Sequence, residues 1–273
     1  MESIGTQGLV IPRLGFGTFR MPGMDCQPVV ESALDIGYRH IDTAQMYQNE
    51  EGVGAAIAAS GLARAELHVT TKVWHENLAP DAIRRALDDS LRKLRLDFVD
   101  LYMIHWPGRD MKLAAALETL ESLRERGLVR AIGVCNFNMT LLRTAVEAIG
   151  APIACHQIEY HPFLSQRPML DYLRGKGIPL VAYSPLAQGR AASHPTLAKI
   201  GEKHGATAAQ IAIAWLLDQD GVLAIPKAQR RESQQSNFDA QSIRLDDEDR
   251  AAIAALPKDQ RFVNPPFAPQ WDA

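Results

Sequence analysis

A chain of 273 residues is long enough for one large α/β core or two smaller ones, and a makeup of 47% hydrophobic and 22% charged residues is that of an ordinary globular protein. A net charge of −3 gives no electrostatic case for nucleic acid or an anionic membrane as partner. No apolar run approaches a membrane span, residues 1–6 lack a secretory core, and three cysteines (Cys26, Cys135, Cys155) without a CxxC pair suggest neither a disulfide framework nor zinc, so a cytoplasmic protein with reduced thiols is expected.

The first run, Ile4 to Ile11, reads as a short hairpin. Strand candidates follow at 14–18, 38–41, 67–72, 98–105, 130–135, 153–158, 179–183 and 222–225, with helical stretches between them. Ile83, Leu87, Leu91 and Leu94 make an apolar stripe just after Pro80, a residue suited to a helix start. Leu113, Leu117 and Leu120 make another, which Gly127 ends. Leu141, Leu142, Ala145 and Ile149 follow Asn138, a plausible N-cap, and Thr207 with Gln210 reads as a capping box opening the helix that holds Trp215. A surplus helix near 196–204 precedes the last strand-helix unit, and a second follows Asp246.

Eight strands alternating with helices predict a (β/α)8 TIM barrel with an N-terminal β-hairpin and two extra helices. Such barrels typically run to about 250 residues, and no linker, repeat or low-complexity run divides residues 1–273, so one domain is expected. The competing fold is a doubly wound sheet with a glycine-rich dinucleotide turn. Its best candidate, Gly15-Phe-Gly-Thr-Phe-Arg20, has arginine where the third glycine belongs, and Gly52-Val-Gly-Ala-Ala-Ile57 fails the same way inside a helical pattern.

Four polar residues fall where predicted strands run out into loops: Asp42, Tyr47, Lys72 and His105. In a parallel barrel those ends share the face where such folds do chemistry. A free tyrosine, with a pKa of about 10, is a poor proton donor at neutral pH unless its phenolate is stabilised. Lys72 is the candidate ammonium to lower that pKa, Asp42 the carboxylate that keeps it charged, and His105 an imidazole to orient a carbonyl. Each alone has a bland reading as cap, packing residue, solvated lysine or core histidine. Together they meet the needs of a reductase. Asp100, inside a strand, reads instead as a buried hydrogen-bonder.

The segments Leu14-Gly-Phe-Gly-Thr18, Gly37 to Tyr47, Thr70 to Trp74, Leu101 to Pro107, Gly133-Val-Cys-Asn-Phe137, His156-Gln-Ile-Glu-Tyr-His-Pro162, Ala182-Tyr-Ser-Pro-Leu186 and Ile225-Pro-Lys227 resemble, in order, the signatures of the aldo-keto reductases. The ending, 256–271, is similar to the bacterial 2,5-diketo-gluconate and methylglyoxal reductase branch. The resemblance implies an NADP-binding barrel without a Rossmann unit that reduces aldehydes or ketones, with Tyr47 as general acid and His105 orienting the carbonyl. It implies that Asn136 and Gln157 bond the nicotinamide carboxamide and that Tyr183 lies under the ring. Ser184 and Leu186 would hold the pyrophosphate, Gly17 and Thr18 would lie near the ribose, and Asp42 beside it. Lys227 would meet the 2′-phosphate and Asn237 the adenine.

Four residues depart from the family pattern. Cys135 stands for a serine in the cofactor pocket, His156 for an asparagine, Ala228 for a serine that helps hold the 2′-phosphate, and Ser233 for an arginine that grips it. With Lys227 left alone, Arg230 and Arg231 are candidates to replace the lost contacts, so NADPH is expected to be preferred over NADH by a reduced margin. Phe19, Trp74 and Trp106, with Tyr47 and His105, are expected around the substrate. Short stretches after Pro107 and Gln188 predict an open, shallow mouth suited to small polar carbonyls. His156, Glu159 and His161 match no zinc motif, so no metal is expected. A monomer is the default. Two other readings stay open: an aldolase with Lys72 as Schiff base, and a non-catalytic NADPH-binding protein.

Overall fold

The computed structural model describes residues 2–272. Strands β1 (Ser3–Thr6) and β2 (Leu9–Pro12) pair antiparallel about Gln7 and Gly8, both at positive φ (43° and 76°), as a two-residue hairpin requires. The strand-helix alternation then begins: β3 (Phe16–Gly17), α1 (Cys26–Ile36), β4 (His40–Asp42), α2 (Glu50–Ala59), β5 (His68–Val73), α3 (Pro80–Leu94), β6 (Val99–Ile104) and α4 (Leu113–Glu125). It continues with β7 (Val129–Cys135), α5 (Met139–Arg143), β8 (Ile153–Glu159), α6 (Arg167–Lys176) and β9 (Leu180–Tyr183). The surplus helix α7 (Pro195–His204) comes next, then α8 (Ala208–Leu217), β10 (Val222–Ala224), α9 (Arg231–Asp239) and the terminal α10 (Asp247–Ala254).

Strands β3 to β10 pair parallel in chain order, and a parallel bridge between Leu14 and Ala224 closes the first on the last. Gly17 N–H donates to Pro226 O at 3.1 Å across that seam, where a Cβ on Gly17 would sit 2.8 Å from Ile225 O. Closure therefore depends on glycine there. Each predicted strand position holds a strand, so the (β/α)8 barrel with its hairpin and two extra helices is the observed architecture.

The helix signals act as read. Asn138 Oδ1 accepts from Leu141 N–H at 2.9 Å, and Thr207 and Gln210 form the reciprocal capping box. One expectation fails: α5 has five residues and widens into a π-helical turn (Thr144–Ala148), which rotates Ile149 off the apolar stripe to 37% exposure.

Burial follows the pleat. Outward strand residues such as Val69, Tyr102, Ile132 and Ile158 pack under the helices. Inward ones, Leu101, Met103, Cys135, Cys155 and Val181, fill the barrel, and Leu9 and Ile11 of the hairpin plug its lower end. Thr6 Oγ1 donates to Ala154 O at 2.8 Å and fixes the plug. The upper, carboxyl end of the strands is left for loops.

Candidate active site at the carboxyl ends of the strands

Asp42 ends β4, Lys72 lies near the end of β5, and His105 follows β6. All three are buried, Lys72 at 0% exposure. Its Nζ donates to Asp42 Oδ1 at 2.5 Å and to Thr43 O at 2.8 Å, so the ammonium is held from two sides. Gln157 Nε2 donates to the other carboxylate oxygen of Asp42 at 2.8 Å. Tyr47 sits in a 3-10 turn (Gln45–Tyr47) with Lys72 Nζ 5.3 Å from its ring centroid and the His105 ring 5.5 Å away, edge-on. The structure brings the four residues together.

Two neighbours fasten this turn, and sequence reasoning missed both. Gln45 Oε1 accepts from Trp74 N–H at 3.1 Å and Asn77 Nδ2 at 3.2 Å. Buried Asn49 donates to Thr18 O (2.8 Å) and Met21 O (3.0 Å) and accepts from Thr43 Oγ1 (2.7 Å). Neither stands out locally: Gln45 lies between Ala44 and Met46, and Asn49 among Gln48, Glu50 and Glu51.

Burial penalises the Lys72 ammonium, but the Asp42 carboxylate and then the Tyr47 phenol outweigh that penalty and hold its pKa above the ordinary range. Burial drives His105 well below the imidazole range, helped by Lys72 and His75, so it is neutral at pH 7. Its Nδ1 has no hydrogen-bond partner. For Tyr47 the expectation of a lowered pKa is corrected. Burial pushes the phenol up to about 12, and Lys72 only partly offsets it because Asp42 acts the other way.

The implied cofactor contacts line the adjoining rim. Asn136 follows β7 at φ +60°, its Nδ2 donating to His105 O (2.9 Å) and its Oδ1 accepting from Tyr183 OH (2.7 Å). A second Nδ2 hydrogen and Gln157 Oε1 are left, one donor and one acceptor, which suits a carboxamide. His156, without evident consequence in the sequence, is buried, and burial lowers it to about 3; its neutral Nε2 accepts from Phe137 N–H at 3.2 Å and shapes the turn after Asn136. Cys135 is buried against Met103, Sγ to Sδ 3.8 Å. Thr18 Oγ1 is spent on Asp42 O at 3.0 Å.

Non-glycine residues at positive φ concentrate at this end. Of the eight among the described residues, six, namely Arg20, Gln48, Asn136, Ser184, Ala187 and Gln188, lie in rim loops, and such backbone costs on the order of 1 kcal/mol each. Ser184 and Leu186 border the turn after β9. Lys227 is exposed after β10, and its pKa is lowered by partial burial and by the nearby Arg20 guanidinium. Among the described residues no acidic group is named beside Lys227, so the pair of cations is receptive to an anion. Asn237 is buried on α9, and Arg230 stands at the N-cap position of that helix, its Nη2 donating to Ser233 Oγ at 3.4 Å. The Arg231 guanidinium turns toward α1, where it pairs with Asp35 at 2.6 Å and reaches Ser32, because the first turn of α9 faces α1.

Phe19, 44% exposed, packs on Tyr47 at 5.0 Å, and Trp74 lies 5.4 Å from His105, so both border the tetrad. Trp106 does not stand at an open mouth. It is 4% exposed, beneath Phe267 (5.5 Å) and Trp271 (6.1 Å) of the C-terminal tail. The tail also stacks Phe267 on His75 at 4.2 Å, so the mouth is walled on that side and the expectation of a shallow site is corrected. Distance along the chain hid this wall. Two hollows of about 660 and 760 Å³ lie elsewhere, lined in part by residues that precede the strands, such as Arg13, Leu14, Glu66 and Leu67. Among the described residues no cluster of His, Cys, Asp and Glu has metal-site geometry, and no helix is long and apolar enough to cross a membrane.

A barrel whose upper rim gathers these four groups beside an anion-receptive edge defines a class of oxidoreductase. The profile of the aldo/keto reductase family matches residues 13–258, and the chain belongs to that family. It is 43% identical to methylglyoxal reductase DkgB of Escherichia coli O157:H7 over 268 residues, covering 97% of this chain and 100% of that one. It is 42% identical to glyoxal reductase of Bacillus subtilis strain 168, covering 93% and 92%. A solved structure of a protein assigned as 2,5-diketo-D-gluconic acid reductase B superposes with a TM-score of 0.97 at 44% identity, covering 100% of this chain and 98% of that one. Carbonyl reduction by an aldo-keto reductase is the activity these relationships support.

Proposed function

We propose that residues 1–273 act as one domain that reduces small polar aldehydes and ketones with NADPH, methylglyoxal and 2,5-diketo-gluconate being the first candidates, with Tyr47 as general acid. One observation carries this reading: Lys72 Nζ, clamped between Asp42 and Thr43 O, is sealed beside the Tyr47 phenol, which also faces a neutral histidine. NADPH, when bound, supplies the hydride. Asn136, Gln157, Tyr183, Ser184 and Leu186 would hold its nicotinamide half, with Gly17 and Thr18 near the ribose; Lys227, Arg230 and Asn237 would hold the adenosine half.

The chain's own residues handle the proton. At neutral pH the Tyr47 phenol is fully protonated, since burial sets its pKa at about 12. It can donate to an oxygen that gains charge, and the Lys72 ammonium then stabilises the phenolate left behind. Asp42 keeps Lys72 charged, and neutral His105 offers a hydrogen bond to the same oxygen without competing for its proton. Phe19 and Trp74 exclude water beside it.

The test is loss of reduced-nicotinamide absorbance with methylglyoxal, 2,5-diketo-gluconate, glyceraldehyde and a nitrobenzaldehyde. Oxidation of NADPH with the small dicarbonyls is expected. Binding of NADPH without oxidation across the panel would favour a non-catalytic binding protein, and borohydride trapping of a substrate on Lys72 would favour an aldolase. The raised pKa of Lys72 counts against the aldolase, which needs a neutral amine.

A further inference from the structure

The Glu159 carboxylate ends β8, is fully buried, and takes no part in the chemistry above. Its bonds all run to one place. Oε1 accepts from Phe262 N–H at 2.8 Å and Oε2 from Val263 N–H at 3.0 Å. His161 Nδ1 accepts from Phe163 N–H at 3.3 Å, so the imidazole proton sits on Nε2, which donates to Oε1 at 3.2 Å. Arg261 Nη1 stands 3.7 Å from Oε2 and is otherwise without a hydrogen-bond partner.

From that anchor the contacts lead to the substrate mouth. The Arg261 guanidinium lies 3.8 Å over the ring of Trp271, whose Nε1 donates to Asn264 Oδ1 at 2.9 Å. Trp271 and Phe267 then cover Trp106, and Phe267 also meets Trp74, the neighbour of His105. Segment 262–272 has no helix or strand of its own to fix it. Exposed bonds hold its far end, Asn138 Nδ2 to Gln270 O at 3.0 Å and Met139 N–H to Asp272 Oδ2 at 2.8 Å, and at its near end a buried carboxylate saturates two successive backbone N–H groups.

We propose that Glu159 is a positioning residue for substrate recognition: it clamps the C-terminal tail, through the backbone at 262 and 263 and through Arg261, so that Phe267 and Trp271 wall the mouth beside Trp74. The proposal rests on the reductase reading for its kinetic consequence, but the clamp itself is tested independently. Glutamine in its place keeps the size and loses the charge, and turns an NH2 group toward a backbone N–H that needs an acceptor.

The experiment compares wild type, Glu159→Gln and Trp271→Ala in the full chain. Hydrogen bonds to a charged group are worth enough for Glu159→Gln to raise KM for methylglyoxal about tenfold, while kcat and NADPH affinity change by less than about threefold. Trp271→Ala should raise KM in the same direction with Glu159 intact. Trypsin should cut the bond after Arg261 faster in Glu159→Gln than in wild type, read by intact mass. If wild type oxidised no NADPH, the trypsin result would still decide the clamp while the functional reading fell. Unchanged cleavage and KM in Glu159→Gln, or an equal loss of kcat, substrate KM and cofactor affinity, would overturn the proposal in favour of a role in folding alone. So would an unchanged KM in Trp271→Ala.

Discussion

The two ends of the barrel use the same element, a buried aspartate held by cations, to opposite purposes. At the lower end Asp100 is 2% exposed and accepts from Val69 N–H (2.8 Å), Arg64 (2.7 Å) and Arg130 (3.0 Å), and both guanidinium groups lie 4.3 Å over Phe98. These groups answer one another, and the guanidinium heads partly reach water (22% and 47% exposed side chains). At the upper end Asp42 holds a lysine with no exposure, and that lysine faces the Tyr47 phenol, whose acidity it raises against the effect of burial. Positive-φ backbone also collects there. The lower cluster is closed and reads as stability; the upper one leaves a titratable group open and reads as chemistry.

Breaking each ion pair should separate the two. Lys72→Met is expected to cut turnover by about 100-fold or more, on the scale of lost acid–base catalysis. It should also cost about 3–5 kcal/mol of stability, since Asp42 is left buried without its counter-charge. Asp42→Asn should lower turnover less, because the ammonium remains. A larger loss in Asp42→Asn than in Lys72→Met would reverse the assigned roles. At the other end Asp100→Ala should cost about 2–3 kcal/mol in urea unfolding, less than a sealed pair because the freed guanidinium groups can be hydrated, with kcat of the folded enzyme unchanged. A kinetic defect there would break the contrast.

A pH-dependent effect comes from histidines distributed between the ends. Burial holds His68 and His105 well below the imidazole range and His156 at about 3, so all three fold neutral. A depressed folded pKa means that the unfolded chain binds these protons first. Their stability is therefore fully present above the unfolded value of about 6.5 and is lost as pH falls below it, on the order of 1.4 kcal/mol per histidine per pH unit. Urea midpoints at pH 7, 6 and 5 should fall progressively, and His156→Asn should flatten that slope. A slope unchanged by the substitution would mean His156 is protonated in the fold.

The smallest effect concerns cofactor choice. Arg230→Ala should raise KM for NADPH a few-fold and leave that for NADH unchanged, whereas Arg231→Ala should alter neither, because Asp35 already holds that guanidinium. Equal effects of Arg230→Ala on both cofactors would show that it does not read the 2′-phosphate.

What was legible in the sequence is what is encoded locally. Strand runs, the Asn138 cap and the Thr207 box depend on neighbours within four residues, and each stands where the sequence put it. The tetrad was legible because Asp42, Lys72 and His105 are polar residues at or just past strand ends and Tyr47 follows in the loop after the first of them, and barrel closure does the rest. Long-range contacts were not legible. Nothing near Trp106 in the chain says that residues 267 and 271 cover it, and nothing near Arg231 says that Asp35, on a helix near the start of the chain, pairs with it. The direction of the Tyr47 shift failed for a related reason. It is a balance of burial against two opposite charges, and only burial, the largest, needs the full structure to judge.

The central claim is that the open phenol at the upper end gives the proton. Tyr47→Phe removes one oxygen and leaves the ring that packs on Phe19. Steady-state NADPH oxidation by this variant, with NADPH affinity measured by fluorescence titration on the same sample, should show turnover reduced by about 100-fold or more and affinity nearly intact. Near-normal turnover would contradict the account and remove Tyr47 from the chemistry.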